Sequence, residues 1–197
     1  METSHVISDL ILGLTGLFVF FRYLLKLPLM ETVLWEAFVL SVAVAAFAGA
    51  ARFAGIDNAG LVSNFFQNMA ATVGALGLAV VSWFKVWEND TLDSTIGWSV
   101  LGVGFIIFAL LQVGIMSDLI SHIPVVSMIL VAIAAIYGII KGQTKLGIWL
   151  LAAVLFAALA TFRNTFVTDL DNSIDAYHYL LAISLICFGM AAARPSV

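Results

Sequence analysis

Charge is scarce in this chain: 8 basic and 12 acidic residues among 197, with only 3 histidines, 3 prolines and 1 cysteine. Each scarcity removes a class. The lone Cys187, set in an apolar run, cannot form an intramolecular disulfide and reads as a small core residue. Lys and Arg form no basic patch, so nucleic acid is not an expected partner. The last apolar run holds no lysine, which excludes a retinal pump with its Schiff base in the last helix. The N-terminus has neither a basic n-region nor a small-residue cleavage site behind a short apolar core, so the first run is expected to be a retained helix. No fixed-spacing ligand motif such as HExxH is present.

What the chain has in quantity is apolar surface. Hydrophobic residues make up 63% of it and mean hydropathy is +1.12, more than a soluble domain can bury, so an integral membrane protein is expected. A spanning helix needs about 20 mostly apolar residues, with about 17 the lower limit. Seven runs qualify: Ile7–Leu25, Val33–Phe53, Leu61–Trp83, Ile96–Met116, Pro124–Ile140, Leu146–Phe162 and Ala176–Ala193. Between them lie Lys26-Leu-Pro28, Gly55-Ile-Asp-Asn58, Glu88-Asn-Asp90, Ser117-Asp118 and Lys141-Gly142, the punctuation expected of loops. No linker is long enough for a second domain. The expectation is all-α: one seven-helix transmembrane bundle over residues 1–197.

Basic residues set the orientation. Arg22, Lys26, Lys85, Lys141, Lys145 and Arg194 fall at one end of the bundle, against Arg52 and Arg163 at the other. The N-terminus is therefore expected outside and the C-terminus in the cytoplasm. Trp35, Trp83, Trp87, Trp98 and Trp149 all belong to the cytoplasmic end and read as an interface belt, and Glu31, Glu36, Glu88, Asp90 and Asp93 as solvated loop and cap residues there.

The other end collects the unusual polar residues. On a helix Asp171, Asp175 and His178, spaced i, i+4, i+7, share one face. A charge at the bilayer centre costs about 2.5–3.5 kcal/mol on the insertion scale, so such residues normally face a cavity, a partner or a ligand. The same end receives His5, Asp9, Arg52, Asn64, Gln67, Asn68, Asp118, His122, Arg163 and Asn164. Each histidine lies three or four residues from an aspartate: His5/Asp9, Asp118/His122 and Asp175/His178. Asp9 sits about one turn into the first run with no basic residue in helical reach, so it is expected to face helix seven. Ser41, Ala45, Ala48 and Arg52 on helix two, and Asn64, Asn68, Ala71 and Ala75 on helix three, form stripes that either pack helices closely or line a substrate cavity. The plain alternative is that acids opening helix seven answer the helix macrodipole and that Arg52 and Arg163 pair with them. A disordered N-terminus competes with any role for His5.

Ser8-Asp-Leu-Ile-Leu, Trp35-Glu-Ala-Phe with Ala48-Gly-Ala-Ala-Arg-Phe53, and Asp175-Ala-Tyr-His-Tyr-Leu-Leu-Ala182 resemble a bacterial branch of the CREST superfamily, which groups alkaline ceramidases with progestin and adipoQ receptors. The resemblance spans all seven helices. It implies a bacterial cell membrane, membrane lipid as partner, a Zn²⁺ held by histidines near one end and hydrolysis of a lipid amide or ester. His178 matches the histidine opening the last helix, and Asp175 an acidic position of that branch. Gly49-Ala-Ala-Arg-Phe53 lacks the histidine that closes helix two in relatives, and Asn172, Ser173 and Ile174 stand where a second histidine of helix seven is expected. The three-histidine site is therefore absent as such. A rebuilt site from His5, His122 and His178, or a mixed set of His178, Asp9, His5 and Asp175, is chemically open. With zinc bound, Asp175 or Asp171 is expected as base or orienter and Arg52 or Arg163 as stabiliser of the anionic intermediate, with Asn64 and Asn68 toward the substrate. The competing expectation is a non-catalytic lipid- or small-molecule-binding receptor or scaffold. A transporter ranks lower, because the mid-helix positions are almost all apolar. A homo-oligomer stays open.

Overall fold

The computed structural model describes residues 3–87, 92–115 and 121–193. Helices account for nearly all of them: α1 (Thr3–Tyr23), α2 (Leu29–Phe53), α3 (Ala59–Val86), α4 (Ser94–Gln112), α5 (His122–Ile140), α6 (Thr144–Thr161) and α7 (Leu170–Ala192). No strand occurs among the described residues. These seven helices are long and apolar enough to cross a membrane, the construction of an integral membrane protein. The surface is inverted accordingly, with Leu14, Ile106, Ile133 and Leu155 exposed around the perimeter.

Helix neighbours follow a closed ring. α1 packs on α2 and α7, α2 on α3, α3 on α5, α5 on α6, and α6 on α7, while α4 lies outside against α3. Small residues permit the closest approaches, which in lipid carry association through packing. A Cβ at Gly16 of α1 would come 2.7 Å from the Ala43 Cβ of α2. Trp35, Phe38 and Phe188 meet at ring distances of 6.0 Å and join α2 to α7 in the core.

α7 opens at Leu170 with the acidic stretch, ahead of the apolar run from Ala176, and the Asp169 side chain caps it by accepting from the Asn172 N–H at 2.9 Å. Two sequence expectations are corrected by the fold. Trp35 is fully buried against Phe188 and is no part of an interface belt, unlike the exposed Trp87 and Trp98. Glu31 is buried and paired with Lys85 at 3.1 Å, not solvated. Asp93 is a cap as expected, accepting from Thr95 N–H at 2.7 Å, and Cys187 is buried in the core. Glu88, Asp90, Asp118 and Arg194 lie outside the described residues.

α3 carries one irregularity. Its residues Ala70–Gly74 form a π turn between two α-helical halves, Ala59–Met69 and Ala75–Val86. Such a turn accommodates an extra residue and rotates the second half of the helix relative to the first. The expected stripe of Asn64, Asn68, Ala71 and Ala75 is broken as a result: Asn64 is exposed, Asn68 half-buried and Ala75 wholly buried. The bulge is wedged between neighbours, since a Cβ at Gly74 would lie 2.7 Å from the Phe38 backbone and one at Gly104 of α4 3.0 Å from the Val73 backbone.

Candidate functional site

The ends of α1 and α7 are tied by hydrogen bonds among four side chains, with a fifth, Asp9, in contact beyond them. His5 Nδ1 lies 2.8 Å from Asp175 Oδ1, and the Ser8 hydroxyl donates to the same oxygen at 2.7 Å. Ser8 Oγ is also 2.9 Å from Nδ1 of His178, whose Nε2 lies 3.2 Å from Asp9 Oδ1. Helical spacing explains the meeting. His5, Ser8 and Asp9 occupy one face of α1, Asp171, Asp175 and His178 one face of α7, and the two faces oppose each other. Asp9 does point at α7.

Burial divides the members. His5, Ser8 and Asp9 are 1%, 0% and 3% exposed, whereas the Asp171 side chain is 79% exposed and stands 3.7 Å from His5 Nε2. Asp171 thus stands at the surface outside the cluster, and the cluster runs from His5 through Asp175, Ser8 and His178 to Asp9. Room for the last carboxylate comes from α2: a Cβ at Gly49 would fall 2.5 Å from Asp9 Oδ2. Phe53 closes α2 against the His5 ring at 4.9 Å, and the Arg52 guanidinium lies 4.5 Å over the Phe53 ring.

The proton inventory of this chain is tight. A serine hydroxyl has one proton, and the shortest of its contacts assigns that proton to Asp175. Nδ1 of His178 is then the donor to Ser8 Oγ, a tautomer assigned from the network. In the neutral imidazole Nε2 consequently faces an Asp9 oxygen lone pair to lone pair. A proton or a cation must mediate that contact.

Several expected members stand elsewhere. Arg163 donates to the Ala160 carbonyl at 3.2 Å and covers the Tyr177 ring at 4.7 Å; among the described residues it makes no ion pair with Asp171 or Asp175. Its Nε is buried without a hydrogen-bond partner. Arg52 is exposed and likewise unpaired with those acids. His122 opens α5 as an exposed residue, so the three-histidine combination is not assembled. Asn64 faces outward on α3, and Gln67 donates to Ser63 Oγ at 3.0 Å. Asn164 accepts from the Ser173 hydroxyl at 2.5 Å, pinning the α6–α7 connection.

Two participants were not singled out by sequence. Ser8 joins both halves of the chain, yet serine in an apolar run carries no signal beyond its neighbour Asp9. Gly49 acts by leaving space, and its Gly-Ala-Ala setting looks like any close-packed helix face. No curated protein and no solved structure matches the chain. The match that exists covers residues 4–196 and hence the whole cluster: the chain belongs to the Family of unknown function (DUF6962).

Proposed function

We propose that the protein is a membrane-embedded hydrolase of a lipid amide or ester, centred on His5, Ser8, Asp9, Asp175 and His178. One observation carries this reading: the contact of His178 Nε2 with Asp9 Oδ1 at 3.2 Å, a place that the hydrogen bonds behind it leave for a proton or a cation. Ionisable groups inside a membrane bundle are expensive and mark functional sites. The likeness to CREST hydrolases points to the same reaction class.

Zinc is the cofactor this reading names. An imidazole nitrogen and a carboxylate oxygen, the donor types zinc takes, face each other at 3.2 Å in His178 and Asp9. His178 and Asp9 would hold the ion, with Asp175 or His5 as the third donor of the set. Among the described residues no three such side chains are already grouped around one point. When bound, zinc would supply Lewis acidity toward a carbonyl oxygen and acidify a water. The protein's own groups do the rest. Ser8 fixes the His178 ring through Nδ1, and Asp175 fixes Ser8 and His5, the outer support that metal-binding histidines require. Arg52 and Arg163 place positive charge at this rim for an anionic intermediate. The excess of basic residues at the opposite end favours a site on the non-cytoplasmic side.

A second reading makes the cluster a clasp in a non-catalytic lipid- or small-molecule-binding protein. The observation on its side is that His5, Ser8, Asp175 and His178 hydrogen-bond one another, and that His5, Ser8 and Asp9 are almost fully buried. Elemental analysis of purified protein, together with turnover of a panel of N-acyl and O-acyl lipids in proteoliposomes, separates the two. About one zinc per chain with hydrolysis supports the enzyme. Folded protein with neither metal nor turnover leaves the clasp.

A further inference from the structure

A second feature lies toward the opposite end of the bundle, independent of the α1–α7 cluster. α2, α3 and α4 enclose a lateral cavity of ≈ 290 Å³, lined by Leu40, Val44, Phe66, Val73 and Phe105 among others, and open to the perimeter. Its wall holds one carboxylate, Glu36 of α2. The sequence places Glu36 in solvent; the structure half-buries it beside Trp98 in this apolar groove.

Depth makes that placement unusual. The 25 residues of α2 measure about 37 Å, about 7 Å more than a hydrocarbon core of ~30 Å. A centred α2 overhangs that core by about 4 Å at each end. Glu36 lies about 10 Å along α2 from Leu29, which puts its backbone about 7 Å inside the lipid. Among the described residues no cation answers it. Lys85, at the same end, is engaged with Glu31 at 3.1 Å, and among the described residues no hydrogen bond or ion pair reaches the Glu36 carboxylate. An ionisable group at this depth requires a partner.

We infer that the groove between α2, α3 and α4 binds a membrane phospholipid with a primary-ammonium headgroup, the ammonium on Glu36 and one acyl chain along the cavity. Charge complementarity selects the headgroup. An ammonium brings three N–H donors to an acceptor-only carboxylate, whereas a trimethylated choline brings none and a glycerol headgroup no positive charge. The cavity sits at the lower end of the volumes of ligand sites, about 300–1,000 Å³, which suits a single chain rather than a packed helix about 10–12 Å across.

The test is native mass spectrometry of the full-length protein in detergent, offered equimolar dioleoyl phosphatidylethanolamine, phosphatidylcholine and phosphatidylglycerol. Wild type should retain phosphatidylethanolamine about tenfold over phosphatidylcholine, the scale of a hydrogen bond to a charged group. Glu36→Gln should lower it to the phosphatidylcholine level. Val44→Trp, at an exposed position of the wall, should reduce retention of every lipid. Equal retention of the three lipids by wild type would overturn the assignment. So would an ethanolamine preference that survives Glu36→Gln, or a dimer that forms in wild type and is lost in Val44→Trp, which would make a second copy of the chain the occupant.

Discussion

The Ser8 hydroxyl reaches Asp175 Oδ1 at 2.7 Å across 167 residues of sequence, so a serine in the first helix fixes an acid in the last. Removing it takes one of two donors from the half-buried Asp175 oxygen, which keeps His5, and leaves Nδ1 of the half-buried His178 without its partner. Ser8→Ala should therefore destabilise the protein by about 1–3 kcal/mol, measured as a lowered thermal transition in detergent. Only the hydroxyl oxygen is removed, so the loss is of hydrogen bonding rather than of packing. An unchanged transition would show that water replaces the hydroxyl without cost.

Gly49 is the floor beneath Asp9. A methyl group there would stand 2.5 Å from Oδ2 and 3.0 Å from Cγ, too close for unstrained packing, so Asp9 must move. Gly49→Ala is expected to cost about 1–3 kcal/mol as overpacking and to lower zinc content and turnover together. Alanine tolerated with full metal content would mean that Asp9 is not a ligand.

His5 and Asp175 join the beginnings of α1 and α7 at 2.8 Å. If they act directly on each other, a double-mutant cycle with His5→Ala and Asp175→Asn should give a coupling of about 1 kcal/mol or more. Hydrogen exchange should quicken in the first turns of α1 in either single variant. Additive effects would show that the contact carries no energy of its own.

At the other end, the Glu31–Lys85 pair is buried, with side chains 10% and 9% exposed. Removing one member leaves a lone charge, so Glu31→Gln should cost about 3–5 kcal/mol. Replacing both by Gln and Met should recover most of that loss. A single substitution without effect on the thermal transition would show that the pair is solvated in the membrane.

The seven crossings were legible because a span of about 20 apolar residues has no competing explanation in a chain this hydrophobic. The start of α7 was legible in part: the shared face of Asp171, Asp175 and His178 asks for a helix there, and the Asp169 cap fixes its first turn. Helix periodicity put His5, Asp9, Asp175 and His178 on facing stripes, and the ring closure that brings α1 to α7 did the rest. Periodicity carried the stripe of Asn64 and Asn68 on to Ala75, and the π turn at Ala70–Gly74 breaks the repeat between them. Glu31 and Lys85 pair across 54 residues, and Glu36 faces a groove made by three helices. Neither relation has any local signature.

His178 is where the proposed chemistry is most exposed to test. Hydrolysis of an N-acyl or O-acyl lipid by purified wild-type protein should fall at least about 100-fold in His178→Ala, with bound zinc lost and the helical circular-dichroism spectrum kept. Hydrolysis that persists in His178→Ala at the wild-type rate would contradict that chemistry.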